Sequence, residues 1–228
     1  MRKFIYSLVA VTMLVAACNT SAKKDVEKIK QDSITKEDSI KKTSTVTDID
    51  GNIYHTVAIG TQVWMKENLK VTHYRNSNPI PNVTDNKQWR NLTIGSYCNY
   101  NNDSNNSTTY GRLYNWYTIN DSRNIAPPGW HVPTDEEWTT LTDYLGGEKG
   151  EYVAGGKLKE IGFTGIPSGY RLDGRFVELG SHGFWWSSTE LSNVPGSARY
   201  RTMGCESGDL SNDCSYKTSG YSVRCLRD

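Results

Sequence analysis

What this chain lacks narrows its function before anything else does. It has no excess of charge: 26 Lys and Arg face 25 Asp and Glu in 228 residues, so nothing marks it as a partner for nucleic-acid phosphates. It has no metal-binding spacing. Five Cys and four His occur, but no C-x₂-C or H-x₃-H pair of the kind a zinc site uses. Catalytic punctuation is missing too. Ser187 and Ser188 follow two Trp without a Gly-x-Ser-x-Gly elbow, and Gly155-Gly156-Lys157 lacks the rest of a phosphate loop. Asp135, Glu136 and Glu137 are adjacent carboxylates that the start of a helix accounts for. No repeat of solenoid period is found. The expectation is a protein without cofactor, metal or catalytic apparatus. What is abundant is Tyr, 14 residues, and Trp, 7, residue types that fill β-rich cores and recognition surfaces.

The first 17 residues read as a targeting segment. Arg2-Lys3 form a basic start, and Phe4–Val15 is an apolar run too short to span a bilayer comfortably. The following Val15-Ala16-Ala17-Cys18 resembles the lipobox of bacterial lipoproteins. That resemblance implies cleavage before Cys18, acylation of its thiol, and a membrane contact through the lipid. Asn19–Thr45 mixes Lys, Asp, Glu, Ser and Thr with Val26, Ile29, Ile34 and Ile40 in no helical or strand period, so residues 18–45 are expected to be a disordered tether. The domain proper is expected over 46–228.

Cys98, Cys205, Cys214 and Cys225 remain. An even number in an exported chain favours disulfides, and four cysteines allow three connectivities. Cys205 and Cys214 bracket a short polar loop and could staple it, which leaves Cys98 with Cys225.

The clearest element is Gly129–Gly147. Thr134 with Glu137 makes a capping box, Asp135 and Glu136 put negative charge in the first turn, Trp138, Leu141 and Leu145 form one apolar stripe, and Gly146-Gly147 stops the helix. Upstream, Asp50-Gly51 signals a hairpin, and Ile53–Ile59 and Val63–Met65 are β-prone. Thr72–Asn91 and the Asn-rich Asn99–Thr109 read as surface loops, the second without the spacing of a Ca²⁺ loop. Gly111–Asn120 fits a short helix or a buried strand, with helix preferred. Downstream, Tyr170–Leu172 and Arg175–Leu179 flank the turn signal Asp173-Gly174. Gly183–Glu190, Ala198–Met203 and Tyr221–Arg227 read as further strands. In the last, Tyr221, Val223 and Cys225 alternate with Ser222, Arg224 and Leu226, so one face should be buried. Helices and strands in separate runs give an α+β domain.

Read in order, DGNIYHTVAIGTQVWMKENL, YGRLYNWY, PPGWHVPTDEEWTTL, GGKLKEIGF, GFWWSSTE and GYSVRCLRD resemble the Fibrobacter succinogenes major paralogous domain, found mainly in surface proteins and lipoproteins of Bacteroidetes-type bacteria. His131–Trp138 and the closing Val223-Arg224-Cys225 are more distantly similar to formylglycine-generating enzymes. That likeness implies a C-type lectin-like fold: an irregular, twisted antiparallel sheet with about two helices, long loops and adjacent terminal strands. The copper-dependent members hold their ion with two cysteines five apart. Cys225 matches the second, but Gly220 stands at the first, and soft Cu(I) needs both thiolates. An oxidase is therefore only a minor alternative.

Lectin-like domains of this branch can present a ligand surface near the C-terminus, and here the corresponding stretch is Ser187–Ser219. Its Arg199, Tyr200, Arg201, Asp209, Asn212, Asp213 and Tyr216 are the residue types of recognition surfaces; Trp185 and Trp186 could stack on a sugar, but on a strand at least one of them should face the core. The Glu-Pro-Asn and Gln-Pro-Asp triplets of Ca²⁺-dependent lectins are absent. The sequence thus points to a lipid-anchored outer-membrane protein binding a protein or glycan ligand, with an assembly subunit of a surface complex as the alternative.

Overall fold

The structure, a computed structural model, describes residues 44–146, 151–163, 166–205 and 210–228, with the backbone alone for 151–153. The expectations placed on the targeting segment, on Cys18 and the tether up to residue 43, on Gly147 and on Asp209 lie outside these residues.

The chain enters through an antiparallel meander, β1 (Thr45–Thr47), β2 (Ile53–Ile59) and β3 (Gln62–Met65). Asp48 orders its first turn. That carboxylate accepts from the amides of Asp50 and Asn52 and, at 2.6 Å, from the Tyr54 hydroxyl. Two-residue strands β4 (Tyr97–Cys98) and β5 (Leu113–Tyr114) pair, and β6 is Trp130–His131. β7 (Ser168–Leu172) and β8 (Arg175–Leu179) form a hairpin. Asp173 and Gly174 take φ of 48° and 75° there, the left-handed pair that a two-residue hairpin turn requires. β9 (His182–Glu190), β10 (Ser197–Gly204) and β11 (Leu210–Tyr216) make a three-stranded antiparallel sheet. Finally β12 (Leu226–Arg227) inserts between β3 and β6, giving the five-stranded order β1-β2-β3-β12-β6. The architecture is mixed α and β, with antiparallel sheets and few helices.

The helices are α1 (Asn86–Arg90), α2 (Asn106–Tyr110), α3 (Trp116–Ile119), α4 (Asp135–Leu145) and α5 (Glu151–Glu160). α4 starts where its capping box is written: Thr134 Oγ1 accepts from the Glu137 amide at 3.2 Å, and the Glu137 carboxylate accepts from the Thr134 amide at 2.8 Å. Its stripe is buried, with Trp138 and Leu141 at 0% and Leu145 at 2% exposure. Each such side chain contributes about 1.5–3 kcal/mol by leaving water. Trp138 lands among Trp64, Trp185 and Phe163, with ring centroids 4.7, 6.3 and 6.2 Å away.

Five expectations change. The Asn-rich stretch Asn99–Thr109 holds a 3₁₀ turn at Tyr100–Asn102 and the start of α2. The two halves of Gly111–Asn120 differ: Leu113–Tyr114 is a strand, and Asn115 then caps α3 by accepting from the Thr118 amide. The loop Thr72–Asn91 contains α1, capped by Asp85 and anchored by buried Trp89. α5 lies in the Gly-punctuated stretch, where no helical stripe reveals it. Lastly, only Leu226–Arg227 of the closing segment is regular strand, and residues 219–226 are buried on both sides. The segment is threaded through the interior, bridging to Tyr114 of β5 and to Trp185 of β9. Two of its polar side chains find partners there. Ser222 bonds Ser168 at 2.8 Å, and Arg224 donates to Asn68 at 2.7 Å while lying over the Phe163 ring at 4.2 Å.

The disulfide expectation is also corrected, since no bond joins Cys98, Cys205, Cys214 and Cys225. Cys214 stands opposite Arg199 in the β10–β11 register. Cys205 is six residues beyond Arg199, about 20 Å along an extended strand, whereas a disulfide needs Cα atoms about 4.4–6.8 Å apart. Cys98 is packed with Trp89, Tyr100 and Leu113, and Cys225 in a different apolar cluster.

Candidate functional site

The β10–β11 ribbon carries most of the residues singled out for ligand contact, and its register sorts them. Tyr200 faces Asp213, Arg199 faces Cys214, and Arg201 faces Asn212. Directly opposed residues share a face, and neighbours along a strand do not. Tyr200 and Asp213 therefore lie on one side, and Arg199, Arg201, Asn212 and Tyr216 on the other.

The second side is largely occupied by α4. Arg201 is 4% exposed and donates to the Asp135 carboxylate at 2.7 Å, to the Asp135 carbonyl at 3.0 Å and to Thr139 at 2.9 Å. Asn212 reaches the same carboxylate at 3.4 Å and accepts from Arg199 at 3.3 Å. Trp185 is fully buried, and its indole N–H donates to Asn68 at 2.7 Å. Trp185 and Arg201 thus leave the set of ligand residues, because both spend their polar groups inside the fold. Arg199 and Asn212 stay at the rim. Tyr216, at 65% exposure, stands free at the end of β11.

The first side holds an aromatic floor. Tyr200 is half-buried, with ring centroids 4.7 Å from Tyr221, 6.0 Å from Phe184 and 6.5 Å from Trp186. Tyr170 of β7 joins the floor, 4.5 Å from Phe184 and 5.7 Å from Tyr221. Burial, then the Asp213 charge, pushes the Tyr200 phenol up to about 12, so it is a proton donor at any physiological pH. Burial and then Glu178 push Tyr170 upward too. Asp213 is exposed and receives the Tyr200 hydroxyl at 3.4 Å and the Cys214 amide at 2.7 Å. The surface is therefore two phenol donors over packed rings, edged by the carboxylates of Asp213 and Glu178. Sequence reasoning missed Tyr170, Phe184 and Tyr221, because nothing in the spacing of β7 joins it to β10.

The other chemistry-bearing groups are quiet. Burial pushes the Cys98 thiol up to about 12 and raises Cys225 as well, the reverse of a reactive thiolate. Among the described residues no group of three His, Cys, Asp or Glu side chains is placed to hold a metal ion. No described helix is long and apolar enough to cross a membrane.

Fold and face together define a small mixed α and β domain that offers an aromatic, acid-edged strand surface. The chain belongs to the Fibrobacter succinogenes major domain family, whose model matches residues 57–227, most of the chain. Neither the curated proteins nor the solved structures give a match.

Proposed function

We propose that the protein is a non-enzymatic surface lipoprotein, anchored through acylated Cys18 to the bacterial outer membrane, whose domain binds a protein or glycan ligand on the Tyr200–Asp213 face. The observation that carries this reading is the pairing of half-buried Tyr200 with exposed Asp213 above the Phe184, Trp186 and Tyr221 rings. Such surfaces join rigid aromatic area to a few oriented polar groups, the combination that recognition favours. A C-type lectin-like fold is part of the same proposal. It is supported by β12 lying beside β3 of the entry meander, so that the two ends of the domain share one sheet.

One observation favours the second reading, an assembly subunit. β11 is the edge of its sheet and carries exposed Cys214 and Tyr216. Sheet edges are ready templates for another chain.

The test is a glycan and surface-protein array probed with the full-length protein in detergent, with and without Ca²⁺. Binding predicts a saturable hit that Asp213→Ala abolishes while leaving the melting temperature unchanged. A blank array, or a hit indifferent to Asp213→Ala, would reject binding at this face.

A further inference from the structure

A cleft of about 340 Å³ lies between the loop Thr93–Gly95 and the turn that follows α3. Its polar wall is Asn120, Asp121, Ser122 and Arg123, and its apolar wall Ile94 and Tyr117. Ile94 is 60% exposed, a large apolar side chain left in water. The Asp121 and Arg123 side chains are clasped twice, Nε to Oδ1 at 2.8 Å and Nη2 to Oδ2 at 2.6 Å. That pairing holds the Asp121 carboxyl below its ordinary range. Arg123 is also stacked on the Tyr74 ring at 4.0 Å, which fixes its plane. Its Nη1 donates to nothing among the described residues, and the Asp121 oxygens have lone pairs to spare.

A second observation lies under the cleft. Tyr74 is fully buried, its hydroxyl beside the Asp121 and Thr118 side chains. It points at Gly95 of the cleft lining so closely that a Cβ there would sit 2.1 Å from the oxygen. A side chain at Gly95 would therefore collide with that oxygen, and burial with the nearby Asp121 charge pushes the phenol up to about 12.

We propose that this cleft is a separate binding site for a neutral, vicinally hydroxylated ring, one or two sugar units in size. Charge selects the class. An anion would meet the Asp121 carboxylate and a cation the Arg123 guanidinium, whereas adjacent hydroxyls can donate to the one and accept from the other. Ile94 and Tyr117 take the C–H face of the ring. The volume is at the low end of the roughly 300–1,000 Å³ of ligand pockets, which suits a ligand of this size and not an extended peptide.

The test is saturation-transfer NMR on the full-length protein in detergent, with a panel of neutral methyl pyranosides as probes and acetate and inorganic phosphate as anionic controls. At least one glycoside should receive saturation. Ser122→Trp, at an exposed position, should fill the cleft and abolish the signal without lowering the melting temperature. Asp121→Asn should weaken binding about tenfold, and Asp213→Ala on the other face should leave it unchanged. Silence across the panel would overturn the proposal, as would signal that survives Ser122→Trp or that phosphate displaces.

Discussion

Arg201 and Asp213 belong to adjacent pairs on one ribbon and behave as opposites. Both looked like surface recognition residues in the sequence, because a strand pattern shows alternation but not which side a helix will cover. Arg201 is on the covered side, and its guanidinium has nowhere to go but the Asp135 carboxylate and the Thr139 hydroxyl. Arg201→Ala should lower stability by about 3 kcal/mol, since it strands a carboxylate that is largely out of water. Urea unfolding checks this, and a change under about 0.5 kcal/mol, the usual size of a surface substitution, would mean the pair contributes nothing. Asp213→Ala should leave the unfolding midpoint in place. Trp185 teaches the same lesson as Arg201: it sits next to Trp186 on β9, and both indole N–H groups are used internally, on Asn68 and on the Tyr114 carbonyl.

Among the elements, α4 was legible because its ends and its stripe are local. Capping box, acidic first turn and Trp138/Leu141/Leu145 spacing all sit within a dozen residues, and each is found as written. The hairpin at Asp173-Gly174 was legible for the same reason. α5 was not, because Gly155 and Gly156 interrupt it and its helical moment is negligible; tertiary packing, not propensity, decides such segments. Thr134→Ala should cost about 1 kcal/mol by leaving the Glu137 amide uncapped. Leu141→Ala should cost about 2–5 kcal/mol by opening a cavity beneath the helix. Denaturant titration of the two variants should show that order, and an equal loss would mean the helix is held by its cap and not by its docked face.

Across the whole molecule, the least legible feature is the closing segment. Alternation in Tyr221–Arg227 promised one buried face. The chain instead passes between sheets, with Ser222 and Arg224 buried beside Val223 and Cys225, and only long-range partners, Ser168 and Asn68, make that tolerable. The same holds for the cysteines, whose spacing suggested bonds that the strand register separates. Tertiary carboxylates set the acid limit. Burial pushes Asp50 upward, but hydrogen bonds from the Thr72 amide and hydroxyl and from His73 outweigh it, and Arg123 lowers Asp121. Both are depressed on folding, so their contribution is complete above the unfolded value, about pH 4. It is lost as pH falls through the lower folded values. Melting temperature should be flat from neutral pH to about pH 5 and fall below about pH 4, and Asp121→Asn should shrink that fall.

The most direct measurement is amide hydrogen exchange of the full-length protein with and without the ligand that the array identifies. Binding on the Tyr200–Asp213 face predicts slowed exchange in Ser197–Gly204, Leu210–Tyr216 and Ser168–Leu172, the strands that carry the aromatic floor and its acidic edge. Protection confined to other segments, with these three strands unchanged, would contradict it.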